Sequence, residues 1–128
     1  MSVAAIYENL RAELHRLDKL GSVRGLMFWD EQVNLPPGSA EFRAEQAAAL
    51  GDLLHREATN PRIGEWLDTL ESSSDELDED QRIVVRWARR DYDNLVKIPS
   101  EFVQRSTIAK SRSFHAWKEA RAEDDFPK

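Results

Sequence analysis

Leu26-Met27-Phe28-Trp29-Asp30-Glu31-Gln32-Val33, then Asn34-Leu35-Pro36-Pro37-Gly38, then Ser39-Ala40-Glu41-Phe42-Arg43-Ala44-Glu45-Gln46, reads as helix, stop and helix. The first eight residues form a dense apolar run. Neighbouring Phe28 and Trp29 point in different directions on a helix, so burial on more than one side is expected. Pro36 and Pro37 then remove two backbone donors and push Leu35 toward extended backbone, making a rigid connector. Ser39 stands where a hydroxyl caps the next helix, which the pattern carries to about Ala58. Phe42, Leu50, Leu53 and Leu54 are its expected inner side, and Ala47 to Ala49 permit close approach.

The same logic extends in both directions. Upstream, Val3, Ile6, Tyr7, Leu10, Leu14 and Leu17 recur every three or four residues, and Gly21 is the expected end of that helix, with a new segment from Ser22 to Val33. Downstream, Asn60-Pro61 is a cap followed by a first-turn proline, and Ile63, Trp66, Leu67 and Leu70 stripe a short helix. Ser72 to Asp80 is loop-like, and a further helix starts near Asp78 or Glu79, where acidic residues oppose the helix dipole. It carries Ile83, Val84, Trp87, Ala88, Tyr92 and Leu95 and closes at Pro99. Ser100 is the expected cap of the last helix, whose stripe holds Val103, Ser106, Thr107, Lys110, Phe114 and Trp117. No segment alternates with hairpin turns around it, so no strand is expected. The reading is all-α, five to six helices in an irregular antiparallel bundle, as one domain over residues 1–128.

Composition narrows the function. With 41% hydrophobic and 33% charged residues, the 128-residue chain has the balance of a folded domain. A net charge of -6 disfavours nucleic acid and anionic membranes as partners. Zero cysteines exclude disulfides, thiolate metal sites and a cysteine nucleophile, and fit a cytoplasmic protein. Met1 to Leu20 carries charges every few residues and holds no apolar run of signal or membrane-span length.

Most catalytic signatures are missing. His15, His55 and His115 lie too far apart for two to ligate one metal from a single helix, as HExxH does. Asp52-x-x-His55 has the spacing of di-metal helix bundles, but needs matching carboxylates on other helices, and the plainer reading is exposed helix surface. His115 with Glu119, and His15 beside Asp18, read as one-turn surface neighbours. Gly21-x-x-x-Gly25 lacks the lysine and preceding strand of a phosphate loop, and there is no G-x-S-x-G elbow. The acidic run Asp75 to Asp80 lacks the alternation and glycine of a calcium loop. Trp29, Trp66, Trp87 and Trp117 read as core.

The Leu26–Gln46 stretch, however, resembles the N-terminal region of the carboxypeptidase Taq family of helical zinc metallocarboxypeptidases. In that family an apolar helix ending in Trp-Asp leads through a Pro-Pro-Gly turn into an Arg-Ala-Glu-Gln helix. The residues carrying the motif are Trp29, Asp30, Pro36, Pro37, Gly38, Arg43, Glu45 and Gln46. Further similarity follows in order at Leu77 to Gln81, Arg90 to Asp93, Ile98 to Phe102, Phe114 to Arg121 and Asp124 to Phe126. Leu35 stands where methionine is frequent, a conservative departure.

The resemblance implies an enzyme that removes C-terminal residues from peptides, with zinc or cobalt held by HExxH and a downstream glutamate. None of those positions occurs here, so no catalytic or metal residue is carried over, and the metal belongs to the remainder of such an enzyme. Family members continue into further helices beyond Phe126-Pro127-Lys128. The implied role is a wall or lid beside a peptide groove, inactive alone, whose partner is the missing catalytic portion. Exposed apolar area and self-association, such as a homodimer, are expected to follow. Two alternatives stand beside it: a stand-alone helical interaction module, and a helix-bundle metalloenzyme built on Asp52 and His55. Asp30 is expected to anchor the turn by satisfying nearby backbone amides.

Overall fold

The structure, a computed structural model, describes residues 1–126. Helix α1 runs unbroken over Val3–Val33, 31 residues and about 46 Å long. Ser2 opens it by accepting the Ala5 amide at 3.2 Å. The expected break at Gly21 does not occur. A glycine stops a helix by adopting positive φ, and no glycine here does so. The inward positions Leu10, Leu14, Leu17, Met27 and Glu31 keep helical phase across it, so packing selects continuation. The helix ends where foreseen, with the Asn34 amide donating to Asp30 at 2.9 Å before the two prolines.

A 3-10 turn, Pro37–Ser39, leads into α2, Ala40–Ala58. Ser39 makes no side-chain cap, because it is the last residue of that turn. Helix α3, Pro61–Ser72, is capped by Asn60, which accepts the Arg62 amide at 3.0 Å. A second 3-10 turn, Ser74–Glu76, precedes α4, Glu79–Val96. Asp78 and Gln81 form a reciprocal capping box there, at 2.8 and 3.0 Å. Helix α5 spans Ser100–Glu123 and ends at left-handed Asp124. Pro99 holds its cap position, leaving the Ser100 hydroxyl, the expected cap, for another partner. The described residues contain no strand.

Neighbouring helices run antiparallel. Arg16 of α1 pairs with Glu57 of α2 while Arg43 pairs back to Asp30. On α2 and α5, the most extensive helix pair, Glu41 meets Arg112 at one end and His55 meets Ser100 at the other. Midway, a Cβ at Gly51 would stand 3.4 Å from Thr107 Oγ1, so small residues set this seam.

Two packing centres result. Tyr7 and Leu10 of α1 join Ile63, Leu67 and Leu70 of α3 with Leu77, Val85 and Ala88. Leu10, Leu67 and Leu70 are fully buried, each worth about 1.5–3 kcal/mol relative to exposure. The second centre lies where the far half of α1 meets α2 and α5, around buried Glu31, Ala44, Ala48 and Ser111.

Several expected core positions lie outside both. Trp29, Trp87 and Trp117 are half exposed, and only Trp66 packs on the core. Val23, Leu26, Phe28 and Val33 are exposed, as are Phe42 and Leu53. One face of α1 suffices to meet α2 and α5, and α2 buries Ala44, Ala48, Gly51, Asp52 and His55 while Phe42 and Leu53 stay exposed. No helix is long and apolar enough to cross a membrane among the described residues.

Candidate functional site

Three helices converge on Glu31, which is 8% exposed. Its phase on α1 turns it inward with Arg24 and Met27. A buried carboxylate needs donors, and α5 supplies two from one face at i and i+4. Ser111 Oγ donates to Glu31 Oε1 at 2.6 Å, and His115 Nε2 meets the same oxygen at 2.9 Å. The serine hydroxyl therefore points at the carboxylate rather than at the histidine. The trio is a clamp between α1 and α5, and it lacks the serine-to-histidine bond of a nucleophile relay. His115 does not pair with Glu119 as its spacing suggested, because the buried charge opposite competes for it.

Arg43 secures the adjoining turn. It reaches Asp30 Oδ2 at 2.7 Å and the Met27 carbonyl at 3.2 Å, while its Nε donates to Gln46 Oε1 at 3.2 Å. The Asp30 carboxylate, expected to satisfy nearby backbone amides, instead pairs with this guanidinium and accepts from Asn34 Nδ2 at 3.4 Å. At the other side Arg112 donates to Glu41 at 2.5 Å and holds that carboxyl below its ordinary value. A cavity of about 180 Å³ lies above the clamp, with Arg24, Phe28, Lys110 and Phe114 among its walls.

The remaining motif residues play simpler parts. Pro36, Pro37 and Gly38 form the exposed turn, Glu45 is exposed on α2, and Trp29 is half exposed on α1. His15 and Asp18 are exposed on α1.

Asp52 and His55 overturn the surface reading, since each is 8% exposed. His55 Nδ1 lies 3.2 Å from Ser100 Oγ and Nε2 3.1 Å from the Leu95 carbonyl, stapling α2 to the corner between α4 and α5. Asp52 Oδ2 pairs with Arg56 at 2.5 Å and Oδ1 is buried without a hydrogen-bond partner. Both His55 nitrogens are engaged, and no group of three potential metal-binding side chains forms among the described residues. The described residues do not fit a catalytic zinc.

Glu31 and Ser111 were missed from sequence. The available signals were an acidic residue in the inward phase of an apolar run and a Ser-x-x-x-His spacing. Neither says which helix lies opposite.

Comparison with known proteins decides the family. The profile described as Carboxypeptidase Taq (M32) metallopeptidase matches residues 9–128. The chain belongs to the carboxypeptidase Taq (M32) family. Among curated proteins, thermostable carboxypeptidase 1 of Thermus thermophilus is 37% identical over 98% of this chain and 25% of its own length. Carboxypeptidase 1 of Bacillus subtilis is 31% identical over 88% of this chain and 23% of its own. The crystal structure titled BsuCP superposes on 96% of this chain and 25% of its own at TM-score 0.89 and 28% identity. The M32 carboxypeptidase of Deinococcus radiodurans R1 does so over 96% and 24%, at TM-score 0.75 and 35% identity. The chain thus spans about a quarter of the length of the relatives it matches.

Proposed function

We propose that this chain is the N-terminal, groove-wall or lid portion of a metallocarboxypeptidase that removes C-terminal residues from peptides, and that it is inactive alone. The observation supporting this is a family match through nearly the whole chain at a quarter of the relatives' length. In this reading the remaining three quarters hold zinc or cobalt. The complete enzyme works in the cytoplasm, and as a homodimer. The chain contributes shape: the Glu31 clamp and the Arg43 anchor hold three helices and a turn in fixed relation, so that a wall keeps its form beside a groove. Without the catalytic portion, its exposed apolar surface drives self-association.

The test replaces the matching quarter of the Thermus thermophilus relative with this chain and measures release of the C-terminal residue from a short peptide. The chimera should be active and lose activity to a chelator, while the chain alone releases nothing. Release by the chain alone, or a folded chimera with no activity, would overturn the reading.

A further inference from the structure

We propose that the outward stripe Leu26, Trp29 and Val33 of α1 is the face on which the remaining three quarters of the carboxypeptidase dock. This rests on the N-terminal reading and gives it a surface. The far half of α1 has two opposite faces. Arg24, Met27 and Glu31 turn toward α5 and the cavity. Leu26, Trp29 and Val33, spaced three and four apart, share the other side with the small residues Ser22 and Gly25. They are 67%, 58% and 62% exposed. Together they leave on the order of a few hundred Å² of apolar surface in water, the size that marks an interaction site.

A comparison among the exposed tryptophans singles this face out. Trp87 carries the Arg90 guanidinium 5.0 Å from its ring, and Trp117 carries Arg121 at 5.3 Å, each from its own helix. Those rings are partly covered by the chain itself. Trp29 has no such cation or ring partner among the described residues, although it sits in the family motif. Its neighbours on the stripe carry no charge, so the matching surface is apolar.

The occupant follows from length. BsuCP repeats this fold over 96% of the chain at TM-score 0.89, and this part is 25% of its own chain. Relatives that share α1 therefore carry about three times as much additional polypeptide, which must pack against some of this surface. The stripe is apolar, bare and beside the turn that defines the family.

The chain has no cysteine, so each of Leu26→Cys, Trp29→Cys and Val33→Cys introduces its sole thiol. The modification rate by a water-soluble thiol reagent is read at each position by peptide mass mapping, in this chain and in the Thermus thermophilus chimera. Circular dichroism verifies that helix content is unchanged. At low micromolar concentration the isolated chain should react at the rate of an open thiol, and the chimera at least ~10-fold more slowly at all three positions. Equal rates in an active chimera overturn the docking face and leave the N-terminal reading standing. Protection that rises with the isolated chain's concentration and is no greater in the chimera assigns the face to a second copy, and also overturns the proposal. A chimera that folds but releases no C-terminal residue overturns the N-terminal reading itself, and the docking face with it.

Discussion

Replacing Glu31 with Ala should loosen α5 from α1, and the size of the effect follows from the geometry. The substitution removes the acceptor of two hydrogen bonds, from Ser111 at 2.6 Å and His115 at 2.9 Å. Bonds to a charged acceptor contribute about 1.5–3 kcal/mol each, and a buried donor left alone costs about 1–3 kcal/mol. Ser111 is buried, so its hydroxyl is stranded, whereas the His115 side chain is 24% exposed and can turn to water. Release of a buried charge offsets part of the loss. The net is about 2–4 kcal/mol, or a fall in Tm on the order of 10 °C for a domain of this size. The assay is thermal unfolding by circular dichroism, with Glu31→Ala and Ser111→Ala measured singly and together. The double variant should lose about 1–2 kcal/mol less than the sum, because both singles break the same bond. A Tm drop below about 2 °C, or strictly additive losses, would refute the clamp.

Other outcomes can be checked on the same chain. Asp30→Ala should lower stability by only about 0.5–1 kcal/mol, since the Arg43 pair is partly solvated and Arg43 keeps the Met27 carbonyl; an unchanged Tm would contradict the anchoring role. Gly21→Ala with Gly25→Ala should stabilise by about 1–2 kcal/mol in urea unfolding, because both are helical and an added Cβ meets nothing within 4 Å; destabilisation would mean α1 is broken after all. At Gly64 an added Cβ would stand 2.9 Å from the Tyr92 hydroxyl and 3.1 Å from its ring, so Gly64→Ala should cost about 1–3 kcal/mol, with recovery on adding Tyr92→Leu. Hydrogen bonds from Arg16 and Arg112 hold the Glu13 and Glu41 carboxyls below their ordinary 4.5. Their contribution is full above pH 4.5 and lost as pH falls through the lowered folded values, so Arg16→Ala and Arg112→Ala together should flatten the urea midpoint's decline in that acid range.

Much of the helix order was legible because it rests on local chemistry. Asn60-Pro61 and the acidic start at Asp78 act within one turn, and the two prolines stop α1 regardless of its surroundings. Gly21 was misread because a glycine alone does not decide; the packing on either side does. Ser39 and Ser100 do not act as the expected caps for a related reason, since Ser39 ends a 3-10 turn and Pro99 holds the cap position before Ser100, whose hydroxyl meets His55. The candidate site was harder. Glu31, Ser111 and His115 lie 80 or more residues apart in pairing, and no periodicity reports which helices meet. The exposed tryptophans show a further limit: an apolar stripe indicates a buried face without saying whether this chain supplies the cover.

The uninterrupted α1 also makes the molecule a lever. Leu10 sits in one packing centre and Glu31 in the other, roughly 30 Å apart along a single rod. A tilt of only about 5° at the Leu10 end would swing Glu31 by about 3 Å, enough to part it from both donors on α5. Gly21 and Gly25, exposed and without side chains, occupy the middle of the rod and make it most compliant there. Load applied to one end is thus delivered to the other as rotation, with the glycine segment setting how much arrives.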